Sequence, residues 1–229
     1  MKPLFFDCET TGVEENDRII QVAFQEHGSG VRYESLHKPP VPISIDAMSI
    51  CHITNEMVES KPSFVDSANF KMLENEFLNP DSVFVAHNAQ FDMKFLSKEG
   101  LKLPEKYICT MKMAHHHDKD GLLTKHNLQF LRYYLGLKFS EEINPHDATS
   151  DIIVLEGLFK HYLQFHTIEE MVEISSKPIL LKKMSFGKYK GEWFRDIAKK
   201  DMGYIKWMKS DMKMDENMNY TVNYYLENL

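Results

Sequence analysis

Four carboxylates and one imidazole stand out in three short segments of this 229-residue chain. They are Asp7 and Glu9 in Phe5-Phe6-Asp7-Cys8-Glu9-Thr10-Thr11-Gly12, Asp92 in His87-Asn88-Ala89-Gln90-Phe91-Asp92, and His146 with Asp151 in His146-Asp147-Ala148-Thr149-Ser150-Asp151. Side chains alternate between the faces of a strand, so Asp7 and Glu9 share one face while Phe6 and Cys8 take the other. Two like charges that close repel unless a proton or a cation lies between them. A hard divalent cation with oxygen ligands, such as Mg²⁺, meets that need. An exposed edge strand with solvated acids is the other reading of an isolated Asp-x-Glu. The flanks bear on the choice. Leu4-Phe5-Phe6 begins a buried apolar strand and Thr10-Thr11-Gly12 ends it in a turn. The carboxylates thus sit at the strand's C-terminal end, where ligands bind in open α/β sheets.

Val83 to Ala86 reads as a central strand ending at His87-Asn88, which places Asp92 in the first turn of the next helix, near the same sheet end. The helix dipole alone also favours an acid there, and Phe91 suits a core position as well as a ligand contact. His146 and Asp151 straddle a loop-to-helix junction that Asp147 or Thr149 would cap. Asp151 then projects from an early turn to complete the metal site. His146 precedes it as an imidazole able to take a proton near neutral pH, an inert loop histidine being the alternative.

These residues need a scaffold, and the chain supplies an alternating one. Leu4 to Cys8, Ile19 to Gln25 and Val31 to Leu36 have strand composition with turn residues between them, an antiparallel meander. Apolar residues at helical spacing follow over Phe64 to Leu78, then a strand over Ser82 to Ala86, a helix over Ala89 to Lys98, and a short strand over Tyr107 to Cys109. Helices around Leu128 to Leu135 and from Asp151 to Tyr162 complete the series. The order predicts an α/β domain with a five-stranded mixed sheet flanked by helices. His115-His116-His117 reads as a solvated polar run.

Composition narrows the class. The 43% hydrophobic content supports a sizeable core. No run approaches the roughly 18 apolar residues of a membrane span, and Met1-Lys2-Pro3 leads straight into a strand, so a cytoplasmic protein with no membrane partner is expected. Cys8, Cys51 and Cys109 are scattered and read as reduced thiols. Net charge is −11 over residues 1–176 and +4 over 177–229. An acidic first part is unusual for a polyanion-binding protein, but bound metal ions would offset part of it.

The three motifs in this order resemble the DnaQ-like, or DEDDh, 3′ to 5′ exonucleases over about residues 1 to 165. That resemblance implies a ribonuclease H-like fold and release of 5′-mononucleotides from a free 3′ end. It implies metal ligands at Asp7, Glu9, Asp92 and Asp151 and a general base at His146. Two Mg²⁺ ions about 4 Å apart, with Mn²⁺ able to substitute, would be bridged by Asp7, with Glu9 and Asp151 on one and Asp92 near the other. Substrate contacts are expected from Thr10, Thr11, Gly12, Asn88 and Phe91. His52 and Ile53, in Ser49-Ile50-Cys51-His52-Ile53-Thr54, resemble the family's base-stacking residues, although Ile53 and Met57 also suit a core.

Composition changes at Lys177-Pro178. An exonuclease domain over 1–174, a linker over 175–183 and a small basic, aromatic α+β module over 184–229 are expected. Phe186-Gly187-Lys188-Tyr189-Lys190-Gly191 and Asp201-Met202-Gly203-Tyr204-Ile205-Lys206-Trp207 resemble the C-terminal module of exodeoxyribonuclease X-like proteins. Lys182, Lys183, Lys188 and Lys190 are candidate nucleic-acid contacts, while the aromatics also suit a small core. The resemblance favours DNA with a free 3′ end as substrate, in repair or proofreading, with a polymerase or repair partner. An exoribonuclease and a binding accessory protein are the alternatives.

Overall fold

Strand β1 (Lys2–Thr10) is the centre of the fold in the computed structural model, which describes residues 1–228. It pairs antiparallel with β2 (Ile19–Glu26), which pairs antiparallel with β3 (Arg32–Leu36). On its other side it runs parallel to β4 (Ser82–Ala86), and β4 to β5 (Tyr107–Cys109). The sheet order β3-β2-β1-β4-β5 is the five-stranded mixed sheet expected from the sequence. β1 is apolar on both faces up to Phe6 because both faces are covered, as a central strand requires.

Helices α1 (Ile45–Cys51), α2 (Asn55–Val58) and α3 (Ala68–Leu78) follow β3. The periodicity beginning at Phe64 overran α3, which starts only after Ser67, whose hydroxyl caps it by accepting from Phe70 N–H at 3.1 Å. Phe64 is buried in the preceding loop. After β4 come α4 (Ala89–Lys98), then, beyond β5, α5 (Thr110–His117), α6 (Leu128–Tyr134), α7 (Ala148–Tyr162) and α8 (Ile168–Ser176).

Two cores fill the two sides of the sheet. Phe5, Val83, Val85 and Ile108 pack with Ile152, Leu155 and Phe159 of α7. Phe6, Cys8, Phe24 and Phe84 pack with Leu73 and Phe77 of α3 and with Phe95 and Leu96 of α4. α4 and α7 are thus held against opposite faces of the sheet.

Residues 177–183 are extended and pinned. Ile179 N–H donates to Asn217 Oδ1 and Leu181 N–H to Thr221 Oγ1, each at 2.8 Å. Beyond them, α9 (Phe194–Lys200), α10 (Met202–Asp211) and α11 (Glu216–Asn228) enclose their own core of Met184, Phe194, Ile197, Ile205, Met208 and Val222. The β content of this region among the described residues is a single antiparallel bridge, Lys183 to Trp193, and helices carry the rest. No described helix is long and apolar enough to cross a membrane.

Candidate active site

Strand alternation sets Asp7 and Glu9 on the side of β1 that carries Phe5, facing α7. Asp151 lies in the first turn of α7 and Asp92 in the first turn of α4. Because these helices pack on opposite faces, their N-termini converge on the C-terminal end of β1 from both sides.

Specific bonds hold each acid. Asp92 is 2% exposed, and the Cys8 thiol donates to its Oδ1 at 3.3 Å. The Gln129 amide of α6 donates to Asp151 Oδ1 at 2.7 Å, and His146 N–H to Asp151 Oδ2 at 3.1 Å. Asp147 caps α7, its Oδ2 accepting from Ser150 N–H at 3.1 Å. Buried Gln21, opposite Glu9 on β2, donates to Asp147 Oδ1 at 3.0 Å and accepts from Ala148 N–H at 3.2 Å. The start of α7 is thereby clamped to the sheet beside Glu9. Sequence reading missed these roles of Cys8, Gln21 and Gln129. Only Cys8, inside the Asp-x-Glu motif, left any signal.

One ligand-capable atom each of Glu9, His146 and Asp151 lie within 4.8 Å of one another. His146, an exposed residue, is therefore in the cluster, while Asp7 and Asp92 are electrostatically coupled to it. Burial, then the charges of Asp92, Asp151 and Glu9, holds Asp7 well above the ordinary carboxylate range. Burial and then Asp151 and Asp92 push Glu9 up to about 8. Burial pushes Asp92 up to about 7, against the opposing Cys8 bond. Asp151 is raised by burial, partly offset by Gln129 and His146 N–H. No lysine or arginine compensates these four acids among the described residues. Four carboxylates that cannot all ionise unaided fit hard divalent cations, the donor set such ions take.

His52, Asn88 and His146 are the described non-glycine residues with positive φ, at 59°, 64° and 62°. Left-handed backbone is costly for such residues and collects at functional sites. All three were candidate site residues. His52 is exposed where α1 ends, and α1 is anchored to the Asp-x-Glu turn through Ser44 N–H, which donates to Thr11 O at 3.0 Å. Asn88 starts α4 with its side chain uncommitted to capping.

Other expected contacts are placed differently. Ile53 is 4% exposed, packed with Ile20, Ile43 and Val58, so it has no free face for a base. Thr11 is fully buried and its hydroxyl donates to Asp17 Oδ1 at 2.6 Å, while Thr10 donates to Gly12 O at 2.6 Å. Both hydroxyls brace the turn. A Cβ on Gly12 would meet Asp17 Oδ2 at 2.5 Å, so glycine permits this close approach. Phe91 is half-buried beside Phe95, their ring centroids 4.8 Å apart. Lys182, Lys183, Lys188 and Lys190 lie in the C-terminal region; Lys188 is engaged by Asp201 at 2.9 Å and Lys183 lies over the Trp193 ring. His116 and His117 of the histidine run are exposed, as a solvated stretch would be, with His117 Nε2 2.8 Å from His166 Nε2, whereas His115 is half-buried and stacks on His126.

Residues 4–159 match the model of the family described as Exonuclease, and residues 184–210 match that described as Exodeoxyribonuclease X-like C-terminal. Exodeoxyribonuclease 10 of Escherichia coli is 30% identical over 228 residues, covering 97% of each chain. DNA polymerase III subunit epsilon of Treponema pallidum is 33% identical over 170 residues, covering 70% of this chain and 76% of its own. The solved structure of exonuclease X in complex with 5′ overhanging duplex DNA superposes with a TM-score of 0.61 at 26% identity, covering 76% of this chain and 99% of that one. The chain therefore belongs to the DnaQ-like exonuclease family, as a nuclease that continues into an exodeoxyribonuclease X-like C-terminal region.

Proposed function

We propose that this protein is a Mg²⁺-dependent 3′ to 5′ exodeoxyribonuclease that releases 5′-mononucleotides from DNA, in repair or proofreading. The observation that carries the reading is the convergence of Asp7, Glu9, Asp92 and Asp151 with no lysine or arginine among the described residues to compensate them, beside the exposed imidazole of His146. DNA is supported by the similarity to exodeoxyribonuclease 10 along nearly the whole chain and to a nuclease solved with duplex DNA. The likeness to a polymerase subunit supports a polymerase or repair partner.

Asp7 and Glu9 from the sheet, Asp151 from α7 and Asp92 from α4 would hold the cations. Bound divalent ions supply Lewis-acid polarisation of the scissile phosphate and neutralise charge on the departing 3′ oxygen. His146 takes the proton of the attacking water at a ring nitrogen. Gln129 and the His146 N–H aim Asp151 and favour its ionised form against burial, and Cys8 does so for Asp92.

The test is incubation with 3′- and 5′-labelled DNA and RNA oligonucleotides in Mg²⁺, Mn²⁺ or chelator. Mononucleotide release from DNA 3′ ends, lost in chelator and in Asp7→Ala, is expected. Release from RNA alone would redirect the assignment to an exoribonuclease, and turnover of neither polymer would leave a binding protein.

A further inference from the structure

A cavity of about 330 Å³ opens where α5 and the end of α8 meet the extended segment leading into the C-terminal helices. Lys112, His115, His116 and Lys119 line one wall, Lys177 and Lys182 the other. Such clustering runs against the −11 net charge of residues 1–176.

Lys112 is the unusual member. It is 3% exposed, and its ammonium donates to the Ser175 and Lys177 carbonyl oxygens, each at 2.9 Å. Glu216 forms a long ion pair with it at 4.0 Å, beyond hydrogen-bond reach. An ammonium has three donors, so one N–H of a buried charge lacks an acceptor among the described residues. Lys119 and Lys182 form no ion pair among the described residues, whereas Lys177 pairs with Glu173 at 2.6 Å. Burial holds the imidazoles of His115 and His116 below their ordinary range, leaving them neutral hydrogen-bonding groups at neutral pH.

Two short bridges join this cleft to the catalytic edge of the sheet. Glu216, facing Lys112, accepts from the Gln90 amide at 3.1 Å, two residues before Asp92. His115 stacks on His126 at 3.6 Å, and the His126 carbonyl accepts from His87 Nε2 at 2.9 Å, next to Asn88.

We infer that the cleft is a second phosphate site that grips the DNA backbone inward of the 3′ end, Lys112 offering its free N–H and Lys119 and Lys182 their unpaired charge. The inference rests on the DNA reading above. It moves the polyanion contact from the outer lysines, Lys188 and Lys190, to the seam between the exonuclease domain and the C-terminal region.

The full chain is tested in chelator, where uncompensated carboxylates repel a phosphate from the catalytic edge. Fluorescence anisotropy follows binding of a labelled single-stranded DNA across a salt series. Reversing both Lys119→Glu and Lys182→Glu is expected to weaken binding about tenfold and to make the log–log salt slope shallower by about 1.4, two phosphates at about 0.7 each. Lys112→Met, which keeps an apolar stem in place, is expected to weaken it severalfold. Affinity and slope equal to those of the starting protein would overturn the site. So would variants that lose a poly-glutamate peptide but keep DNA, which would assign the cleft to an acidic protein segment. A protein whose DNA binding drops as expected in the variants, yet which degrades no DNA in Mg²⁺, would sink the proposed activity and leave the cleft standing.

Discussion

The backbone N–H of His146 donates to the side-chain carboxylate of Asp151 at 3.1 Å, through a residue whose φ of 62° turns that N–H inward. The candidate base and a candidate metal ligand are therefore two ends of one bend, and the left-handed backbone orients the carboxylate while leaving the imidazole exposed. A change at either end should be felt at the other, with different kinetic signatures.

His146→Ala keeps the backbone donor and removes only the imidazole. Single-turnover rates should fall about 10²- to 10⁴-fold, the range general-base removal produces, with 3′-end binding retained. An unaltered single-turnover rate would remove His146 from the mechanism.

Gln129→Met deletes the 2.7 Å donor to Asp151 at nearly constant volume. The Mg²⁺ concentration giving half-maximal rate should rise about 10- to 100-fold, as loss of a bond that orients a ligand does. A loss of kcat with no change in the Mg²⁺ requirement would contradict this role.

Asp92→Asn removes one charge from a crowded, buried set while keeping an oxygen for the Cys8 thiol. In chelator its Tm should rise by about 3 °C, in keeping with relief of roughly 1 kcal/mol of repulsion, while turnover in Mg²⁺ collapses. Calorimetry beside a nuclease assay reads both. A lowered Tm would mean that the carboxylate is stabilising without metal.

Stability should depend on pH in two opposing ways. Asp92 and Glu9 are raised to about 7 and about 8, so the folded protein binds more protons than the unfolded chain between about pH 4 and 8, and stability falls as pH rises through that window. His37, His87, His115 and His117 are lowered to about 4 by burial, so stability rises with pH from about 4 to 6.5. Above pH 6.5 only the carboxylates remain unopposed. Metal-free protein should lose Tm from pH 6.5 to 8, and Mg²⁺ should raise Tm most at pH 8. A chelated Tm that holds level or climbs over that interval would contradict the carboxylate shifts.

Much of the scaffold was legible because its signals are local. A short apolar run closed by a turn marks β1, and Asn88 followed by an apolar helical face marks α4. Helices α1 and α2 escaped notice because at seven and four residues they depend on caps such as Ser44 more than on periodicity. Ile53, Thr10 and Thr11 were expected as substrate contacts from the family resemblance, with a core position the alternative for Ile53, and a motif match does not say which way a side chain finds its partner. Ile53 found a core, and Thr11 found Asp17.

Residue type and spacing were enough to specify an α/β domain, the placement of two carboxylates on one face of a strand and a repulsion that a proton or a cation must relieve, since alternation and like-charge repulsion act within a few residues. Convergence was not local. Asp92 reaches Cys8 across 84 positions because α4 and α7 pack on opposite faces of β1 and point their N-termini to one edge. The same long-range packing buries Lys112 in the seam, because a lysine becomes an unspent donor only when folded chain closes over it.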